Sequence, residues 1–479
     1  MLLSCADLEE HPNSFENSET YYKTPAQCVT GLNGCYIPIR SLYTYTYVIV
    51  TEGVTDLMWI NSGTMDAQLD ISPSQPRYGA TMWQQGYLGV GRANSIIAAI
   101  RRAPFSEELK RPLLAEGMAL RAYYYWILTC SFGDVPFYTE EVNDEEVLER
   151  VGKLGRMSAK VTRDYLIDEL KEYVPYMTQQ RTYDDPDHRF GAAMGWMMIA
   201  KLAQWNNRWP DAIDAVDHLE TIYGDLSQYP LEDIPFRYKN TPESIFEAQF
   251  TYASNGLQVT TSANAVLMPY PGSRGVYAGV EIPELGNRAQ PYTPCKANPY
   301  YTSNVMTKND KRMAINIATE YNGHSFTLQS NCPFPGPKFW AIDMVNAACG
   351  SNQKVFRYAD ALLMQAENYL RMNNNDEAIR YLNMTRNRAG LPDYVFKNKE
   401  ALLDEIQKER GRELIGEYQR KYDLVRWGNW YEMVYNNTNY ATVRNNIRMC
   451  HEYYPIPDTE VVLSGNALDN KAYEEYGKN

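Results

Sequence analysis

The side chains best suited to chemistry are sparse and scattered. The five histidines, His11, His188, His218, His324 and His451, are widely separated along 479 residues. His451-Glu452 begins like the H-E-x-x-H helix of a zinc protease, where two histidines one turn apart hold the metal. Tyr453-Tyr454-Pro455 then breaks both the spacing and the helix. Gly89-Val90-Gly91 has no strand before it and lacks the third glycine of a dinucleotide loop. Asp184 to His188 (DDPDH) offers oxygens of the kind calcium takes, but without the ligand spacing of a calcium loop, and reads as a solvated turn. Glycoside hydrolysis needs two facing carboxylates, and the 59 acidic residues single out no pair. There is no G-x-S-x-G elbow and no P-loop. The sequence therefore predicts no catalytic residue, no metal and no cofactor.

Binding chemistry is better represented. There are 39 tyrosines against 13 phenylalanines, an excess of rings with a hydroxyl at one edge. Such rings suit places where a face packs and an edge meets water or a polar ligand, as on a carbohydrate platform. Most of them are accounted for by a tyrosine-rich helical core. The net charge of -13 argues against nucleic acid, which is held by clustered Lys and Arg. A hydrophobic content of 44%, a charged content of 22% and a mean hydropathy of -0.50 describe a soluble surface over a sizeable core.

Cys5 stands apart. Leu2, Leu3 and Ser4 before it look like the end of a bacterial lipobox, whose cysteine is acylated after cleavage. The charged and longer apolar parts of such a signal are missing, and no apolar run of about 18 residues could span a bilayer. Seven further cysteines remain, so they cannot all pair internally. Cys28 and Cys35 lie about 10 Å apart along a helix, too far for a disulfide.

The elements that must position these residues are mainly helices. Thr24 to Arg40 opens with an N-cap threonine and a proline at the first position. Further helices are predicted over Gly86 to Arg101, Ser106 to Gly133 and Ser158 to Met177. Trp196, Ala200 and Ala203 precede Ala212 and Val216, and Leu362, Ala366 and Tyr369 precede Ala378 and Leu382. Both sets fit the large-small alternation of tetratricopeptide helix pairs, a packing code with no chemistry in it. Two irregular segments interrupt the helices, Glu52 to Gln85 and roughly Leu231 to Trp340. An ordered loop region as long as the second is usually functional.

Several blocks stand in an order that resembles the SusD/RagB family. YYKTPAQCVTGLNGCY, RANSIIAAI and LRAYYYWILTCSFGDVPFYT are similar to its N-terminal half. FRYADALLMQAENYL, LNMTRNRAGLP, ERGRELIGEYQRKYDLVRWG and YYPIPDTEV are similar to its C-terminal half. The resemblance runs from about Tyr21 to Tyr476 and implies a mostly α fold, with tetratricopeptide-like helix pairs and a loop-rich ligand-binding face. It divides the chain into a signal remnant (1–5) with lipidation at Cys5, an N-terminal region (6–230), and a C-terminal region (231–479) with its insertion (231–340).

The resemblance also implies a function. It describes a surface-exposed lipoprotein of a Bacteroidetes outer membrane, an export route that the acidic Asp7, Glu9 and Glu10 fit. Such a protein captures oligosaccharide for a SusC-like TonB-dependent transporter, without cleaving it. Arg121, Tyr124, Asp423 and Arg426, in the family blocks, are expected to hold helices together. Sugar contacts are expected from the two irregular segments. In the first the candidates are Trp59, Asn61, Asp66, Arg77 and Tyr78, with Trp83 assigned to the core. In the second, between Leu257 and Trp340, they are Tyr270, Tyr277, Tyr300, Tyr301 and His324. Trp59 and Tyr277 are expected to have no core role. The alternative reading is a tetratricopeptide-type scaffold for protein–protein interaction, whose concave groove takes a peptide.

Overall fold

The computed structural model describes residues 21–252, 258–273 and 275–476. Cys5 and His11 lie outside the described residues.

Thr24 caps the first helix, α1 (Pro25–Gly34), as its sequence dictates. Its hydroxyl accepts from the Gln27 N–H, and the Gln27 side chain accepts from the Thr24 N–H in return. The helix does not continue to Arg40. It closes at Cys35, and α2 (Ile37–Leu42) starts separately, because Pro38 has no N–H to offer and its ring would meet the Gly34 carbonyl. Cys28 and Cys35 are buried free thiols. A short α3 (Tyr45–Val48) then runs into a π turn over Ile49–Gly53.

Two long helices follow, α4 (Tyr78–Arg102) and α5 (Glu107–Phe132), and they pack along one another. The Gly89-Val90-Gly91 segment lies inside α4, where a Cβ on Gly89 would stand 2.3 Å from the Tyr124 ring. The glycine serves close helix packing and leaves no cradle for a phosphate. Packing then passes from helix to helix through α6 (Ala159–Tyr173), the pair α7 (Ala192–Trp205) and α8 (Trp209–Tyr223), and the pair α9 (Tyr358–Arg371) and α10 (Asn375–Arg388). Ala200 and Ala366 are fully buried in these pairs. Such neighbour-on-neighbour stacking is that of a helical repeat scaffold.

The family-like blocks are where this scaffold is cross-linked by charge. Arg121 pairs with Glu169 at 2.5 Å, and the Tyr124 hydroxyl donates to the Cys35 carbonyl. Arg410 bonds Asp360 and Asp423, and Arg426 forks onto both Glu367 oxygens at 2.9 and 2.7 Å. Arg357 reaches Glu243, Glu413 and Glu417 at 2.7–3.0 Å with all four groups buried. A buried charge is tolerated only when paired and hydrogen-bonded in this way. Arg121, Tyr124, Asp423 and Arg426 thus hold helices together.

Two antiparallel strand pairs tie the irregular segments to the helices. β1 (Met58–Ile60) pairs with β3 (Cys295–Ala297), and β2 (Ser244–Ala248) pairs with β4 (Gln353–Arg357). The insertion between β2 and β4 has its own small core, with Tyr277, Ile282, Phe334 and Trp340 at its centre.

Candidate functional site

The β1–β3 pair determines where a site can form. Its register sets Trp59 opposite Lys296 and Ile60 opposite Cys295. In an antiparallel pair, the chain leaving one strand lies beside the chain approaching the other. Asn61 therefore meets Pro294, and its N–H donates to that carbonyl at 3.4 Å. The two irregular segments, over two hundred residues apart in sequence, are brought together at this one joint.

Both sides of the joint are anchored in buried structure. On the β1 side, the Glu52 carboxylate accepts from the backbone N–H groups of Gly416, Gln419 and Arg420, and Asp56 forks onto Arg420 at 2.8 and 2.6 Å. Burial raises the Glu52 carboxyl to about 7 against these bonds. On the β3 side, the N–H groups of Tyr292 and Thr293 both donate to the Ala265 carbonyl, at 2.8 and 3.0 Å. Thr293 is held at a φ of 53°, an uncommon state for a β-branched residue. The buried Lys296 ammonium donates to the Thr293 carbonyl at 2.7 Å, and burial lowers its pKa to about 8.

At the joint a cleft of ≈ 600 Å³ opens to solvent. Tyr45 and Tyr292 form one wall, with ring centroids 5.3 Å apart and planes at 73°. Tyr292 is 56% exposed, the most open large aromatic side chain among the described residues. Tyr270 lines the cleft from the insertion, its hydroxyl donating to the Thr327 carbonyl at 3.3 Å. Asn61, Ser62, Thr64 and Gln329 supply amides and hydroxyls around these rings. Apolar faces with a few convergent polar groups are what a polar organic ligand needs.

Of the sequence-predicted residues, Asn61 and Tyr270 line this cleft and the others do not. Trp59 is 5% exposed inside β1, and Tyr277 is 1% exposed with its hydroxyl on the Gly286 carbonyl at 3.0 Å. The expectation that these two rings lack a core role is therefore corrected: strand pairing buries the first and the insertion core encloses the second. Tyr301 is fully buried and accepts from Asn316, and Tyr78 is buried at the start of α4 with its hydroxyl on the Leu42 carbonyl. Neither can be a ligand platform as it stands. Asp66 caps α4 by accepting from the Tyr78 N–H at 3.0 Å and also bonds the Tyr454 hydroxyl at 3.1 Å. Arg77 is paired with Asp70 at 2.9 Å. Tyr300 is half-buried against the main core, and His324 is exposed on a two-residue strand paired with Glu320–Tyr321. Both stand outside the residues that line the cleft. Trp83 is buried against Phe132, as expected.

Sequence reasoning missed Tyr45, Tyr292 and Gln329. Tyr292 carried a signal, since Pro291 and Pro294 bracket it and mark a turn, which the structure shows with Tyr292 exposed. Two other cavities are lined by arginines already committed to ion pairs. One of ≈ 670 Å³ is lined by Arg380 and Arg388, which bond Glu377 and Glu243, and one of ≈ 260 Å³ by Arg189, which bonds Glu116. Among the described residues no cluster of His, Cys, Asp and Glu could hold a metal, and no helix is long and apolar enough to cross a membrane. His451 is buried and lowered to about 4 by that burial and by Lys421 and Arg448.

Fold and cleft together define a helical-repeat protein with a tyrosine-flanked cleft set between irregular insertions. The chain belongs to the SusD/RagB family. The SusD family model matches residues 343–473, and the model described as "Starch-binding associating with outer membrane" matches residues 13–178. SusD-like protein P25 of Formosa agariphila is 25% identical, over 98% of this chain and 96% of the relative. Among solved structures, a SusD superfamily protein from Bacteroides vulgatus superposes with a TM-score of 0.74 at 20% identity, over 94% of this chain and 99% of that one. Surface glycan-binding protein A from Bacteroides thetaiotaomicron, solved with laminarihexaose, gives a TM-score of 0.72 at 20% identity, over 93% and 98%. At such identities the likeness is one of fold.

Proposed function

We propose that this protein captures oligosaccharides at the bacterial outer-membrane surface and passes them to a SusC-like TonB-dependent transporter without cleaving them. The observation that carries the reading is the cleft at the β1–β3 joint, where Tyr45, Tyr270 and Tyr292 stand among neutral hydroxyls and amides. A sugar ring lays its C–H face on an aromatic ring and exchanges hydrogen bonds at its edge. Family membership and the surface glycan-binding protein of the same fold support the ligand class. The partnership with a transporter and the lipid on Cys5 are carried over from the family resemblance.

The test is affinity electrophoresis of the intact protein in gels containing a panel of polysaccharides, with a reducing-end assay run beside it. Retardation without release of reducing ends is the expected result. Release of reducing ends would make the protein a hydrolase, and binding of peptides but of no glycan would favour the interaction-scaffold reading. For the anchor, a fatty-acid analogue should label the native precursor and fail to label Cys5→Ala. Equal labelling of both removes the anchor from the account.

A further inference from the structure

Resting on the reading of the cleft as a glycan site, we infer that its ligand class is uncharged oligosaccharide: neither uronate-bearing, nor sulfated, nor amino sugar. The first observation is the wall of the cleft. Among the described residues that line it, every polar side chain is a neutral amide or hydroxyl, in a protein whose charged content is 22%. A carboxylate or sulfate entering such a cleft loses hydration and finds no cation to replace it.

The cation nearest to hand in the chain is already engaged. Lys296 lies one strand residue inside the cleft wall and is 2% exposed. Its ammonium donates inward to the carbonyls of Thr293 and Cys295 and sits 4.9 Å from the centre of the Phe334 ring. It holds the strained Tyr292–Thr293 turn and has no route to a ligand anion.

The second observation is independent of the cleft. A net charge of -13 surrounds it with a field that repels polyanions at long range. That field would attract a polycation, but the lining offers no carboxylate to hold an ammonium once it arrives. Both signs of charge are thus unprovided for, whereas ring faces, amides and hydroxyls suit neutral sugars.

The experiment is titration calorimetry of the full chain and of Tyr292→Ala against oligosaccharides of four kinds: neutral glucans, xylans and mannans; polyuronates; sulfated galactans; and chitosan fragments. Each titration is run at about 20 and about 300 mM NaCl, which changes screening severalfold. The expected result is that all binding lost in Tyr292→Ala belongs to neutral glycans, with affinity changing less than about twofold between the salts. An acidic, sulfated or amino glycan that binds, loses affinity in Tyr292→Ala and responds steeply to salt overturns the ligand class while leaving the site in place. Neutral glycans that bind the parent and Tyr292→Ala alike overturn the site reading, and this inference with it. A panel in which no neutral glycan binds overturns the class outright.

Discussion

Gly89 and Gly91 lie two residues apart in α4 on different faces of the helix, and alanine at each gives a paired test of how the scaffold is packed. A Cβ at Gly89 would lie 2.3–2.4 Å from three atoms of the Tyr124 ring, which cannot swing aside because its hydroxyl is bonded to the Cys35 carbonyl. At Gly91 the nearest atom is the Tyr138 hydroxyl, 3.9 Å away. Alanine gains about 1 kcal/mol of helix propensity at either position. At Gly89 that gain is opposed by overpacking of about 1–3 kcal/mol and by loss of a buried hydrogen bond worth about 1 kcal/mol. Gly89→Ala should therefore destabilise by about 1–3 kcal/mol, while Gly91→Ala should be neutral or stabilise by up to about 1 kcal/mol. Guanidinium unfolding followed by far-ultraviolet circular dichroism reads the difference, with unchanged slopes as the control for comparable unfolding. Equal midpoints for the two variants would refute the close approach of α4 and α5.

Ala366, fully buried in the α9–α10 pair, should tolerate no large ring: Ala366→Phe should cost about 1–3 kcal/mol, and an unchanged melting temperature would show the repeat register to be wrong. Tyr277 centres the insertion core, so Tyr277→Ala should cost about 3–5 kcal/mol in thermal or chemical unfolding, far more than Tyr292→Ala on the open wall. His451 has a folded pKa of about 4 against an ordinary value near 6.5. The unfolded chain binds the extra proton between these values, so the stabilisation is complete above about pH 6.5 and is lost as pH falls towards 4, by about 3 kcal/mol in all. His451→Gln should flatten that limb of the stability–pH curve, and an identical curve would remove His451 as its source.

The helices were legible because local rules fix them. The cap at Thr24 and the small residues at Ala200 and Ala366 act within a turn or between adjacent helices. Two boundaries were misjudged: the break before Ile37, whose cause was in view at Pro38, and the start of α4, which lies at Tyr78 rather than Gly86. The candidate site was only half legible. Its two segments could be named, but which rings face the cleft depends on the β1–β3 register, a pairing across more than two hundred residues. That register turns Trp59 and Lys296 inward and leaves Asn61 and Tyr292 at the open edge. Alternation along a three-residue strand is too short a signal to reveal this. Polarity misled as well: Asp66, Arg77 and Tyr78 looked like ligand groups and instead cap and brace the start of α4.

The central claim rests on the cleft, and calorimetric titration of one neutral oligosaccharide into the parent, Tyr292→Ala and Asn61→Ala tests it most directly. The parent should bind with a dissociation constant between about micromolar and millimolar, or about -8 to -4 kcal/mol. Loss of the Tyr292 ring should remove about 1 kcal/mol or more, weakening binding at least about fivefold, and loss of the Asn61 amide should weaken it by a similar factor. Both residues are exposed, so melting temperatures should match the parent. Parent-like affinity in both variants would contradict the account.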